Sequence, residues 1–164
     1  MKLSIRQLTL NAMIAAIYVV ITIFLPSYGP LQLRMTEMFA HLPMFNRKYS
    51  IGLIIGVAIA NIRSEFGIYD VLFGTLHTAI SLAIVFLLVK KSDGMIKKMM
   101  INSTVFTVMS FILALMVAYL SELMPLFWTL YGSFAASIAL VMFATIPVML
   151  FLNKQIKFDE TMER

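Results

Sequence analysis

Two short polar stretches interrupt an otherwise apolar chain, and they hold its best candidates for chemistry: residues 32–37, with Gln32, Arg34 and Glu37, and residues 61–70, with Asn61, Arg63, Glu65 and Asp70. A carboxylate accepts N–H donors, an amide offers both a donor and an acceptor, and a guanidinium donates in a planar fork. Such a set suits a flat ligand whose edge mixes N–H and C=O groups, with aromatic rings to stack on its faces. Trp128 and Tyr131 are placed to supply rings, and Tyr28, Phe66 and Tyr69 lie in the neighbouring loops. Arg34, Glu37 and His41 follow one another at spacings of three and four, which aligns them on one helical face. Asp70, Gly74 and His77 repeat the arrangement, with Gly74 leaving room between two polar groups for a ligand ring. Glu37, Asp70 and Asn61 are the first choices for ligand contact.

Each candidate has a plainer reading. Arg34 and Glu37 satisfy the spacing of a helix-anchoring ion pair, and Arg63 and Glu65 that of solvated loop charges. Trp128 and Tyr131 suit an interfacial aromatic belt. His41 and His77 suit hydrogen-bonded core histidines. Catalytic patterns are missing: there is no G-x4-G-K-[ST] phosphate loop, H-E-x-x-H or G-x-S-x-G, so nothing marks the chain as an enzyme or equips it to hydrolyse ATP itself. With no cysteine there is neither a thiolate metal site nor a thiol nucleophile. No cofactor and no resident metal is implied.

What must position these groups is a membrane protein. Of 164 residues 61% are hydrophobic, and the mean hydropathy is +0.93. One apolar span takes roughly 20 residues. Residues 8–25, 71–89, 99–120 and 126–152 are long apolar runs, the last interrupted by Pro147. Residues 38–62 read either as one span or as two short ones split at Arg47–Lys48. A single span would bury both cations, at about 2.5–3.5 kcal/mol each, and would be broken by Pro43. Two spans place eleven of the thirteen Lys and Arg residues on one side, leaving only Arg34 and Arg63 opposite. The excess of basic residues on cytoplasmic loops then orients the chain. The expected architecture is an all-α bundle of six transmembrane helices, near residues 7–25, 34–46, 49–63, 69–89, 99–120 and 126–152. Both termini are expected in the cytoplasm, and residues 1–164 are expected to form a single integral domain of a cell membrane, a prokaryotic plasma membrane. The basic clusters flank apolar runs, so the net charge of +5 reflects orientation in the bilayer rather than nucleic-acid binding.

Small residues four apart let helix backbones approach closely in lipid. Gly52, Gly56 and Ala60 are read as an internal packing stripe, whereas the pair Ala12 and Ala16 suits either internal packing or an outward docking surface.

The segments 28–37 (Tyr-Gly-Pro-Leu-Gln-Leu-Arg-Met-Thr-Glu), Leu42–Pro43, Gly52 to Asn61, and 67–75 (Gly-Ile-Tyr-Asp-Val-Leu-Phe-Gly-Thr) together resemble the queuosine-precursor transporter family, QueT. The resemblance runs in order from the first helix to the fourth; the last two helices match only in hydrophobicity and length. It implies a substrate-binding S component of an energy-coupling-factor importer, an ABC-type system in which a membrane coupling protein and two cytoplasmic ATPases are the partners. It implies a 7-deazaguanine substrate and a docking role for Ala12 and Ala16. Glu37 and Asp70 would then accept the ring N–H donors and any aminomethyl cation. Asn61 or Gln32 would read the ring carbonyl, Arg34 would orient Glu37, and Trp128 or Tyr131 would stack on the ring. His77 is a further expected substrate contact, and His41 has no assigned role. The alternatives are an S component for another vitamin or nucleobase, or a structural membrane subunit that binds no small molecule.

Overall fold

The computed structural model of the chain describes residues 4–25, 33–92 and 94–163, and all regular structure among them is helical. Helix α1 spans Ile5–Phe24 and opens on a capping box, in which the Ser4 hydroxyl accepts from the Gln7 N–H while the Gln7 side chain accepts from the Ser4 N–H. Twenty residues at about 1.5 Å each give a length of roughly 30 Å, the thickness of a bilayer core. Helix α4 covers Ile68–Leu88. Helices α5 (Met95–Met109) and α6 (Phe111–Leu120) form one apolar stretch with a break at Ser110, and α7 runs from Phe127 to Ile156. Among the described residues these are the four helices long and apolar enough to cross a membrane.

The second and third expected spans take a different form. Residues 35–41 make a tight 3₁₀ segment, and α-helix begins only at α2, Leu42–Phe45. Pro43 lacks an N–H, and its ring would clash with the Phe39 carbonyl in an uninterrupted α-helix. Helix α3 covers only Ser50–Ala60, between 3₁₀ turns at Arg47–Tyr49 and Asn61–Arg63. Eleven helical residues reach about 16 Å, half a bilayer core.

The tightest helix pair is α1 on α3. The Gly52 N–H donates to Asn11 Oδ1 at 2.7 Å, and Gly56 rests on Ala15 and Tyr18. Asn11, Ala15 and Tyr18 are thereby buried, whereas Ala12 and Ala16 point away from the bundle and are exposed.

The two termini lie at the same end of the bundle. Gln7 Nε2 donates to the Met162 carbonyl at 2.9 Å, and the Tyr49 hydroxyl to the Phe158 carbonyl at 3.0 Å. A short helix α8, Phe158–Thr161, closes this end, and Met162 is fully buried in a cluster with Leu42, Val85, Met99 and Met149. A second cluster, built on Tyr18, Leu53, Val57, Phe106 and Met142, fills the bundle further from the termini. The core therefore sits in two layers, and the polar stretches of the sequence lie beyond the second.

Candidate functional site

At the end of α3 the chain turns through residues 61–67 and re-enters as α4, and side chains reinforce the backbone hydrogen bonds of this turn. The Ser64 hydroxyl donates to the Asn61 carbonyl at 2.6 Å, and Asp70 Oδ2 accepts from the Phe66 N–H at 2.9 Å. Gly67 adopts φ 55°, a left-handed conformation that turns the chain into α4 without the strain a side chain would bring. Asn61 is buried and joins three elements: its Nδ2 donates to the Asp70 carbonyl at 3.2 Å, and its Oδ1 faces Arg34 Nη1 at 3.5 Å.

This turn walls a cavity of about 470 Å³. The end of α1, Arg34, the beginning of α4, α6 and α7 complete it. Its polar lining is Thr22, Arg34, Asn61, Arg63, Ser64, Glu65 and Asp70, two cations against two carboxylates. Its aromatic lining is Phe66 and Phe134. A smaller space adjoins it, walled by Glu37, Ser137 and Ile138 together with Arg34, Leu113 and Phe134, which line both. Glu37 and Asp70 thus address neighbouring compartments that share three walls. Arg34 does not close an ion pair with Glu37: among the described residues the ion pair within 4 Å is Lys157–Glu160.

The remaining candidates stand elsewhere. His77, one turn deeper than Gly74, is buried with its Nε2 3.2 Å from the Phe106 carbonyl and its ring edge-on to Phe106, and it does not line the cavity. His41 is buried too: Asn102 Nδ2 donates to its Nδ1 at 3.3 Å, so its Nε2–H donates to the Met142 carbonyl at 3.0 Å. Both are tied into the protein core. Trp128 is 76% exposed and Tyr131 donates to the Val108 carbonyl; with Phe127 they form a ring cluster outside both spaces. Phe66 and Phe134 are the rings that line the cavity, whereas Trp128 and Tyr131, expected as stacking rings, lie near the start of α7, one to two turns before Phe134. Gln32 lies outside the described residues. Arg63 and Glu65, read from sequence as loop charges, are exposed and also line the cavity. Thr22, Phe134 and Ser137 are ordinary residues for a lipid-embedded helix; the spacing of Phe134, Ser137 and Ile138 by three and four is the signal that places them on one face of α7. No three His, Asp or Glu side chains converge as metal ligands among the described residues.

Gly74 does not hold open a gap for a ring. The Asn61 amide occupies the space above it, and a Cβ there would press on Asn61 Nδ2. Because the obstructing atom ends a flexible side chain, Gly74→Ala is expected to displace Asn61 and with it Arg34, at a cost of about 1–3 kcal/mol for the added methyl group that about 1 kcal/mol of helix propensity partly offsets. Thermal unfolding slightly below wild type, with ligand affinity lowered several-fold, is the expected pair of measurements.

Long apolar helices beside a polar, aromatic-lined chamber describe a multi-pass helical membrane protein. The sequence profile of the QueT transporter family matches residues 8–154, and the chain belongs to that family of membrane transporters. A curated relative, the queuosine precursor transporter QueT of Lactococcus lactis subsp. cremoris (strain MG1363), is 40% identical over 77 residues. That match takes in 44% of this chain and spans a little under half, 45%, of the relative's length. No solved structure matches the chain.

Proposed function

We propose that this chain is the substrate-capturing S component of an energy-coupling-factor importer, and that it takes a queuosine precursor of the 7-deazaguanine type from outside the cell. The observation that carries this reading is the cavity of about 470 Å³ between the 61–67 turn, Arg34 and α7, within the roughly 300–1,000 Å³ of small-molecule sites. The name of the Lactococcus relative supplies the ligand class. Phe66 and Phe134 sandwich the flat ring. Asp70 has one oxygen committed to the Phe66 N–H and presents the other to ligand donors, and Glu37 accepts from the adjoining compartment. Both polar ends of Asn61 are engaged, so it acts by holding Arg34 and the start of α4 in place, and Arg34 reads the ring carbonyl.

The topology proposed is six passes, with the 35–45 segment and α3 as short second and third crossings and both termini in the cytoplasm. Two facts support it: the termini and the 46–49 turn meet at one end of the bundle, and the lysine-rich segments flank that end. ATP hydrolysis then belongs to two cytoplasmic ATPases, joined through a membrane coupling protein. The exposed Ala12 and Ala16 on α1 are the docking surface proposed for that protein.

Titration of the purified protein with 7-cyano-7-deazaguanine is expected to show saturable one-to-one binding that guanine, thiamine and biotin displace poorly. Absence of any saturable binding rejects the reading. Tight displacement by another of these compounds shifts it to an S component of different specificity. For the docking surface, the double variant Ala12→Leu with Ala16→Leu is expected to keep ligand binding and to lose co-purification with the coupling protein and ATPases. Unimpaired co-purification removes the stripe from the account.

A further inference from the structure

The small compartment beside the main cavity carries its own information. Its volume is about 10 Å³, enough for one water-sized group and no more. Leu113, Phe134 and Ile138 supply apolar walls, so a group seated there is largely shielded from solvent. Its polar walls are the Glu37 carboxylate and the Ser137 hydroxyl, with Arg34 at the boundary to the main cavity. Ser137 is 3% exposed, and its Oγ has no hydrogen-bond partner among the described residues. The Glu37 carboxylate makes no ion pair within 4 Å among those residues. A buried hydroxyl without a partner is a costly arrangement unless something else completes it.

We propose that this compartment is the seat of an exocyclic amino group carried by the ring in the main cavity, held between Glu37 and Ser137. The inference rests on the ligand class proposed above and adds the part of the ligand that the protein checks. One amino nitrogen brings two N–H donors, one for the carboxylate and one for Ser137 Oγ. A methyl group would fill the space and leave both acceptors unsatisfied, and a carbonyl oxygen would face the carboxylate. A primary ammonium on a flexible arm would set its charge against Arg34, which walls the same space; a neutral amino group on the ring avoids that repulsion. The compartment therefore distinguishes 2-amino from 2-deamino rings, and it does so without involving the substituent at the 7-position, which stays in the main cavity.

The test compares 7-cyano-7-deazaguanine with 7-cyano-7-deazahypoxanthine, which lacks only the 2-amino group, by calorimetric titration of the full-length protein in detergent. The deamino compound is expected to bind wild type at least about tenfold more weakly, because its loss leaves buried acceptors unpaired. In Ser137→Ala the ratio of the two dissociation constants is expected to shrink by about threefold or more, with thermal unfolding near wild type showing that the variant is folded. Equal binding of the two compounds by wild type overturns this subsite while leaving the proposed function standing, as does an unchanged ratio in Ser137→Ala. Failure of wild type to bind either compound overturns the ligand class, and the subsite with it.

Discussion

Gly52→Ala is expected to destabilise the folded protein by about 3 kcal/mol, the upper end of what overpacking a core typically costs. The added methyl group would stand 2.5 Å from the Asn11 carbonyl oxygen and 2.9 Å from its Cα. Both atoms belong to the α1 backbone, so no rotamer change relieves the contact and the helices must separate. Separation also breaks the 2.7 Å bond from the Gly52 N–H to Asn11 Oδ1, leaving a buried amide without its partner. In lipid little restores this, since close packing has to serve where hydrophobic drive between helices is absent. Gly132 provides the control. A Cβ there meets nothing within 4 Å, and replacing a helical glycine with alanine gains about 1 kcal/mol of helix propensity. Thermal unfolding in detergent should therefore rank Gly132→Ala at or above wild type and Gly52→Ala well below it. A wild-type midpoint for Gly52→Ala would mean that α1 and α3 do not meet as described.

That contrast shows what a linear sequence discloses. The four long helices are legible because apolar length can be counted directly: 99–120 and 126–152 lie within helical stretches of the structure, and 8–25 and 71–89 overrun Ile5–Phe24 and Ile68–Leu88 by one residue each. The inward face of the Gly52 and Gly56 stripe was legible from its spacing, whereas the orientation of Ala12 and Ala16 was not. That orientation depends on Asn11, Ala15 and Tyr18 taking the face against α3, which is decided between helices and not along one. The 3₁₀ form of residues 35–41 likewise escaped a count of apolar residues, although Pro43 marks where an α-helix could not continue. The charged C-terminal stretch conceals a buried residue: Met162 stands among Asp159, Glu160 and Glu163, yet the turn at Lys157 carries it back under the bundle.

The site divides in the same way. Arg34, Asn61 and Asp70 stood out because polar side chains in apolar surroundings demand a use, and all three line the cavity. Phe134 and Ser137 did not stand out, because an aromatic and a small hydroxyl residue are ordinary in any lipid-embedded helix. Trp128 and Tyr131 stood out although they line neither space. Large amphipathic rings near a helix end look the same whether they face a ligand or the bilayer interface, and only the rotation of α7 separates the two.

The largest effect on ligand binding is expected at the two carboxylates. Glu37→Gln and Asp70→Asn preserve shape and remove charge, so each isolates the part played by a charge-assisted acceptor. Such a bond contributes about 1.5–3 kcal/mol, which is roughly a ten- to 150-fold weaker dissociation constant for the deazaguanine in each variant. Asp70 demands this conservative change, because its Oδ2 also holds the Phe66 N–H and Asp70→Ala would release the 61–67 turn together with the acceptor. Asparagine can still accept from Phe66 through its own Oδ1, so Asp70→Asn should unfold near the wild-type temperature while binding is lost. Arg34, Leu113 and Phe134 line both compartments, so a ligand contacting Glu37 and Asp70 together is one rigid body held at two points. The double variant should then lose less than the sum of the single losses, since a ring released at one point no longer bears squarely on the other. Calorimetric titration of the four proteins measures this coupling. Wild-type affinity in both single variants would show that neither carboxylate touches the ligand, and the chamber between the 61–67 turn and α7 would lose its claim to be the binding site.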